Sequence, residues 1–328
     1  MFLSGIIHTH DGFEPWTEKN QMQRYIIKRF LFGLLTIFST ITVVFFVMRG
    51  LNPADPTAIM LPPDATPELQ QKLKVKFGLD KTLIEQYGIF LKNGIVGDFG
   101  ESFRYSEPAL ELVVERIPAT LQLTIASLFF AVLIGMSIGI ISAVKRDTLF
   151  DRFGRQLSLV GMAVPSFAIA LFFILTFGVM WRIFPISGRG GLSHFVLPVT
   201  SMSLYGIASF IRLSRSSMIE VLKSEYVVMA HIKGVPKFKI IMVHALKNGC
   251  IPVVTILGLV IPGLIMGSVV IETIFSWPGV GNLVMVSIFA RDYPVVQVIV
   301  IFISILIVMS NLLVDILYAY IDPRIRYQ

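Results

Sequence analysis

The sequence predicts an all-α membrane protein of six transmembrane helices, with a small helical external domain in the loop between the first two. Three observations carry this. Of 328 residues, 55% are apolar and only 15% charged, and the mean hydropathy of +0.76 lies far above what a water-soluble core requires. Six apolar runs approach or exceed the ~20 residues that a spanning helix needs: 30–48, 119–144, 157–181, 195–211, 251–271 and 295–320. Basic residues are also unevenly placed. Segments 1–29, 145–156, 212–250 and 321–328 hold 17 Lys and Arg, against 3 in 182–194 and 272–294. Basic residues collect in cytoplasmic loops, so both termini are expected in the cytoplasm and the protein is read as multi-pass in a bacterial cytoplasmic (inner) membrane. The loop 49–118 is too long to vote, with 8 Lys and Arg facing 10 Asp and Glu, and is expected outside.

Each element follows in order. Residues 1–29 form a cytoplasmic tail; 1–20 mix His8, His10, Asp11, Pro15 and Trp16 without periodicity and read as flexible or surface-lying. The first run is followed by Arg49-Gly50-Leu51-Asn52-Pro53 rather than a small-residue cleavage site, so it reads as a retained anchor. In the external domain 49–118, Thr66-Pro67-Glu68 supplies an N-cap, a first-turn proline and an acid, and Gly78 a stop. A second helix from Leu83 to Lys92 carries Leu83, Ile84, Tyr87 and Leu91 at helical spacing. These two helices either roof the membrane opening or pack on a partner.

Span two contains the GxxxG pair Gly135 and Gly139, and span five the pair Gly263 and Gly267, both at close-packing intervals. Pro165 in span three and Pro262 in span five favour kinks. Between spans four and five, Glu225 to Asn248 forms a basic helix-turn-helix. A helix over Glu225 to Lys233 puts Tyr226, Met229, Ala230 and Lys233 on one side, Gly234 permits a positive φ, and Pro236 opens a second helix. After span five, Trp277 suits an interfacial belt and Pro278-Gly279 a turn.

Several function classes are disfavoured. The net charge of +7 sits beside apolar runs with no aromatic-interleaved platform, so nucleic acid is not expected as a partner; membrane lipid is. The single cysteine, Cys250, cannot form an intrachain disulfide. The middles of spans one to five hold no Asp, Glu, Lys, Arg or His, and Asp315 lies near the end of span six, where a helix-end role fits better than a relay. An ion-coupled secondary transporter, the alternative from a different class, should carry intramembrane carboxylates or an internal repeat. An intramembrane enzyme would need a base near Ser166 or Ser310, and none is in readable range. No G-x-x-x-x-G-K-[ST] phosphate loop occurs, so the chain must borrow its energy. His8 and His10 could chelate a divalent ion, but they sit in the expected cytoplasmic tail, and no metal site is assigned.

Short segments in order and spacing then carry a resemblance. They are Gly97-Asp98-Phe99-Gly100-Glu101-Ser102, Pro118-Ala119-Thr120-Leu121, Arg215-Ser216-Ser217-Met218, Glu272-Thr273-Ile274-Phe275-Ser276-Trp277-Pro278-Gly279-Val280-Gly281, Arg291-Asp292-Tyr293-Pro294-Val295-Val296-Gln297, Asn311-Leu312-Leu313-Val314-Asp315 and Asp322-Pro323-Arg324. From about residue 24 onward the chain resembles the inner-membrane permease subunits of peptide and nickel ABC importers, with a type I importer permease-like fold. The resemblance implies a second homologous permease subunit as heterodimer partner, two ATP-binding subunits and an extracytoplasmic solute-binding protein. It implies no cofactor on this chain, ATP and Mg being used by partner subunits. The implied cargo is a dipeptide or oligopeptide, with nickel, a metal chelate or glutathione as alternatives.

By the same resemblance Glu225, Tyr226, Ala230, Lys233, Gly234, His244 and Leu246 belong to the loop that couples to the ATPase. Glu272, Trp277, Pro278, Gly279, Gly281, Arg291 and Asp292 belong to an external scoop-like gate or binding-protein contact. Where peptide permeases commonly carry Arg, Thr, Arg and Ala in the coupling turn, this chain has Val228, Met229, His231 and Ile232.

Overall fold

The computed structural model describes residues 15–50, 61 and 66–321; His8, His10 and the Asp322-Pro323-Arg324 stop lie outside the described residues. Helix α1 (Pro15–Gly50) is followed by two short helices, α2 (Pro67–Lys76) and α3 (Leu83–Ile95), and by the long α4 (Ala109–Val144). Next come α5 (Leu149–Ala163), α6 (Ser166–Phe173, continuing as a π-helix through Met180) and α7 (Leu192–Leu222). A hairpin of α8 (Glu225–Ile232) and α9 (237–249, whose middle, Ile240–Ala245, is a π-helix) leads to α10 (Ile251–Ile274). The chain closes with α11 (Val280–Phe289) and α12 (Tyr293–Ile321). Helix extends back to Pro15, so 15–20, read from sequence as an aperiodic tail, are the first turns of α1.

Among the described residues, five helices are long and apolar enough to cross a membrane, and the count is six where the bent pair α5–α6 is taken as one broken span. The third apolar run is therefore divided. Pro165 has no N–H to continue α5 and forces its predecessor out of the helical region, so Val164 is extended at φ −94°, ψ 123° and the two helices meet at 104°.

The core sits between α4 and α7, the most extensively paired helices. A Cβ built on Gly135 would lie 2.8 Å from the Ile207 carbonyl oxygen, and one on Gly139 would lie 2.8 Å from that of Ile211. Only glycine lets these backbones approach so closely. Gly263 and Gly267 have nothing within 4 Å, so the second GxxxG pair faces open space. Trp277, Phe275, Phe210, Leu123 and Ile271 fill the same cluster.

The bundle has a cap end, which carries α2 and α3, and a hairpin end, which carries α8 and α9. At the cap end, Thr66 and Thr82 cap α2 and α3, the latter through a reciprocal box with Glu85. Tyr87 of α3 packs between Phe45 and Phe46 and shares a 2.7 Å hydrogen bond with Thr42, so α3 lies against the last turns of α1. At the hairpin end, Arg29 and Asp315 pair at 3.2 Å and tie α1 to α12.

Candidate functional site

The hairpin begins where α7 runs out of apolar residues. Ser224 is extended and its hydroxyl donates to the Val221 carbonyl at 2.6 Å, while Glu225 places an acid in the first turn of α8. The helix closes in a Schellman arrangement: Gly234 N–H donates to His231 O at 3.0 Å and Val235 N–H to Ala230 O at 3.1 Å. Gly234 has φ +75°, which a side chain resists, and this is why glycine ends the helix. Pro236 then precedes α9.

Val227, Ala230 and Ile240 are buried together under Val235, Val221 and Leu222. Ala230 was expected to share the docking side with Tyr226, Met229 and Lys233. Instead it is turned inward, because the hairpin folds back and the smallest residue of α8 seats that helix on the end of α7. The outward face carries Tyr226, Met229, Ile232 and Phe238, the last two 75% exposed, with Glu225 and Lys233 beside them. The Tyr226 hydroxyl accepts a 2.8 Å hydrogen bond from Asn248 Nδ2 and lies 3.5 Å from the His244 carbonyl oxygen, joining the two arms. His244 is half-buried, and Leu246 packs against the cluster of Ala143, Met218 and Ala245.

Sequence reasoning missed the brace behind this hairpin. Asp151, fully buried in the first turn of α5, accepts from Arg215 Nε at 2.6 Å and Nη2 at 2.8 Å. It also accepts from the Asp147 backbone N–H at 3.0 Å, with Arg155 at 3.8 Å. Arg215 lies on α7 about two turns before the hairpin, so the bidentate pair locks the hairpin end of α7 to α5. Asp151 and Arg215 stand 64 residues apart, so their pairing shows only in the fold.

The cap end gathers the second predicted set. Trp277 was expected at the lipid interface, yet it is 0% exposed. Its Nε1 donates to Ala119 O at 2.9 Å and its ring meets Phe195 edge-on at 4.8 Å. An indole satisfied by an internal carbonyl is a core residue, not an interfacial anchor. Glu272, also buried, accepts from Asn282 N–H at 3.0 Å, and Thr120 Oγ1 accepts from Val280 N–H at 2.8 Å. Together they satisfy first-turn donors of α11. A Cβ on Gly281 would lie 2.5 Å from Val269 Cα, so glycine there lets α11 lie on α10. Gly279 is buried beside Glu272 and Thr120, and Pro278 is half-buried.

Asp292 is buried as well, and accepts from Ser102 Oγ at 2.5 Å and Phe103 N–H at 3.0 Å, which clasps the 100–108 turn to the start of α12. Arg291 is half-buried at φ 53°. The predicted outer-contact set is thus mostly internal scaffolding: Glu272, Trp277, Gly279, Gly281 and Asp292 hold the cap end together and are not presented at its surface. Cys250 sits at the junction of α9 and α10, and burial pushes its thiol up, away from the thiolate that nucleophilic chemistry requires.

Comparison with known proteins supplies the context. Residues 135–327 match the family model described as binding-protein-dependent transport system inner membrane component, and residues 22–124 match its N-terminal companion. The chain is 36% identical over 307 residues to the glutathione transport system permease protein GsiC of Escherichia coli strain K12, covering 94% of this chain and 100% of that one. The GsiC proteins of Shigella flexneri serotype 5b and Salmonella paratyphi A are 36% and 37% identical over the same length and coverage. Among solved structures, a chain of the MetNI methionine ABC transporter in an inward-facing form superposes with a TM-score of 0.54 at 15% identity, covering 66% of this chain and 99% of that one. That likeness concerns the fold.

Proposed function

The chain belongs to the binding-protein-dependent transport system inner membrane component family and is an ABC importer permease, and from that premise we propose that it forms half of a path for peptides. A second, homologous permease subunit supplies the other half. Two cytoplasmic ATP-binding subunits hold the ATP and Mg, and a solute-binding protein delivers the cargo from outside. Both termini face the cytoplasm, as the distribution of Lys and Arg supports.

The observation that carries this reading is the α8–α9 hairpin. Four large apolar side chains, Tyr226, Met229, Ile232 and Phe238, stand exposed on a short basic hairpin whose own small core is already complete. An apolar face with nothing left to cover within its own element is what a partner groove accepts. The brace from Asp151 to Arg215 would make α5 and α7 move with the hairpin when the ATPases close, and such rigid-body motion turns the path from one side to the other.

Peptide is the cargo class that the resemblance implies. The names of the GsiC relatives bring in glutathione, itself a small peptide. Purifying the chain with its partner subunits and measuring which loaded binding protein stimulates ATP hydrolysis tests this. Stimulation by peptide or glutathione is expected. Robust proton-driven uptake by this chain alone would overturn it in favour of a secondary carrier.

A further inference from the structure

The apolar run that ends at Ile211 continues as helix to Leu222, so α7 has 31 residues and is about 46 Å long. The hydrocarbon of a bilayer is about 30 Å thick, so a centred α7 puts roughly 197–217 at that depth. Within this stretch the exposed residues are Thr200, Tyr205, Arg212 and Ser216, and all four are polar. The neighbouring α6 is the opposite. Its exposed residues, among them Phe167, Leu171, Phe172 and Leu175, are all apolar, as contact with lipid requires.

Tyr205, Arg212 and Ser216 stand at i, i+7 and i+11, which is one face of a helix. Helix α5 meets α7 on one side of this face, where a Cβ built on Gly161 would lie 2.8 Å from that of Ala208. Helix α10 meets it on the other side, where a Cβ built on Gly206 would lie 3.6 Å from Val260 Cγ1. The face between them is open, with Tyr205 53% exposed. Arg215 is held by Asp151, but Arg212 makes no side-chain hydrogen bond or ion pair among the described residues. Glu220, about 12 Å further along the axis, is beyond ion-pair reach. A guanidinium at Arg212 can reach lipid headgroups, but the Tyr205 backbone lies about 10 Å deeper, near the middle of the helix. A charge and hydroxyls that share one exposed face at this depth mark a wetted path rather than a lipid contact.

We propose that this face of α7 is a wall of the solute path, and that Arg212 gives the path an anion-binding position that takes the carboxylate of a passing solute. A planar guanidinium suits a carboxylate, and the hydroxyls of Tyr205 and Ser216 both donate and accept. The path and its peptide cargo rest on the function proposed above; the polarity of the face does not.

The test uses the assembled transporter with its partner subunits in lipid nanodiscs, in a Cys250→Ser background. Tyr205→Cys, Ser216→Cys and, as a lipid-facing control, Phe38→Cys on α1 are treated with two water-soluble methanethiosulfonates, one carrying a sulfonate and one a trimethylammonium. Both α7 cysteines should react at least about tenfold faster than Phe38→Cys, because a thiol in hydrocarbon stays protonated. A unit charge about 6 Å away in water favours an anion and disfavours a cation by about threefold each. Arg212→Gln should therefore lower the sulfonate-to-ammonium rate ratio at Ser216→Cys about tenfold, and Arg212→Lys should keep it. In proteoliposomes with loaded binding protein, Arg212→Gln should lower peptide uptake severalfold while ATP hydrolysis continues. Cysteines on α7 that react no faster than Phe38→Cys, as a face covered by lipid or by the second subunit would give, overturn the wall. A rate ratio that Arg212→Gln leaves unchanged, or normal uptake by that variant, overturns the anion position. Charge-selective labelling in a native assembly that takes up no peptide keeps the face and removes the cargo. Peptide uptake with unreactive α7 cysteines removes only the face.

Discussion

Replacing Asp151 by alanine isolates the brace between α5 and α7. Arg215 has 19% of its side chain exposed, and its two bonds to Asp151 run at 2.6 and 2.8 Å. Removing one partner of a buried pair costs about 3–5 kcal/mol, because the remaining charge is stranded. Arg215 keeps some contact with water, so the low end applies, about 3 kcal/mol, or roughly a hundredfold in the unfolding equilibrium. Asp151→Asn, which keeps the shape and one acceptor, should lose about half of that. The double variant Asp151→Ala with Arg215→Met should be more stable than Asp151→Ala alone, with a coupling energy of about 2 kcal/mol. Reversible denaturant unfolding of the purified chain in mixed micelles, followed by tryptophan fluorescence, measures these three, Arg215→Met alone and the native chain. If the two single substitutions destabilise additively, the pair is not the brace described. Transport by Asp151→Asn should fall further than its stability does, since the hairpin would then move without α5.

Two further outcomes follow from packing. Gly139→Leu should prevent α4 from seating on α7 and lower the melting temperature sharply, whereas Gly267→Leu, with open space around it, should leave the isolated chain's melting unchanged; equal effects would contradict the packing. Trp277→Phe keeps most of the ring but loses the Nε1–H bond to the Ala119 carbonyl, and should cost about 1 kcal/mol or more in the same unfolding assay; an interfacial Trp277 would tolerate the change.

The spans were legible because each is a long apolar run, and the hairpin because a basic, glycine-stopped segment interrupts them. Pro165 announced a break in the third run, and the extended Val164 before it sets α5 and α6 at 104°, an angle that the run of apolar residues does not itself display. Ala230 misled for a related reason. On an isolated helix it sits beside Tyr226 and Met229, and only the fold-back of α9 decides that Ala230 and Val227 face in. Trp277 reads as an interfacial aromatic until Ala119, 158 positions earlier in the chain, offers it a carbonyl. From sequence, Asp151 and Arg215 are ordinary charges in the connecting segments 145–156 and 212–250. Their pairing needs the α4, α5 and α7 arrangement that Gly139 and Gly154 allow, with Gly154 set against Ser142. In each case the residue type was readable and the partner was not, since the partner is fixed by long-range packing.

In the proposed function, the Gly234-stopped hairpin passes the work of ATP hydrolysis to the membrane helices. Its most direct measurement is ATP hydrolysis by the complete assembly, with and without loaded binding protein, for the native chain and for Gly234→Asp. The substitution puts a side chain at φ +75°, where nothing lies within 4 Å, so strain of about 1 kcal/mol should loosen the turn without unfolding the bundle. Weakened co-purification of the ATP-binding subunits, loss of stimulation and loss of uptake, with normal membrane insertion, are the predicted result. Normal co-purification together with normal ligand-stimulated hydrolysis and uptake would contradict it.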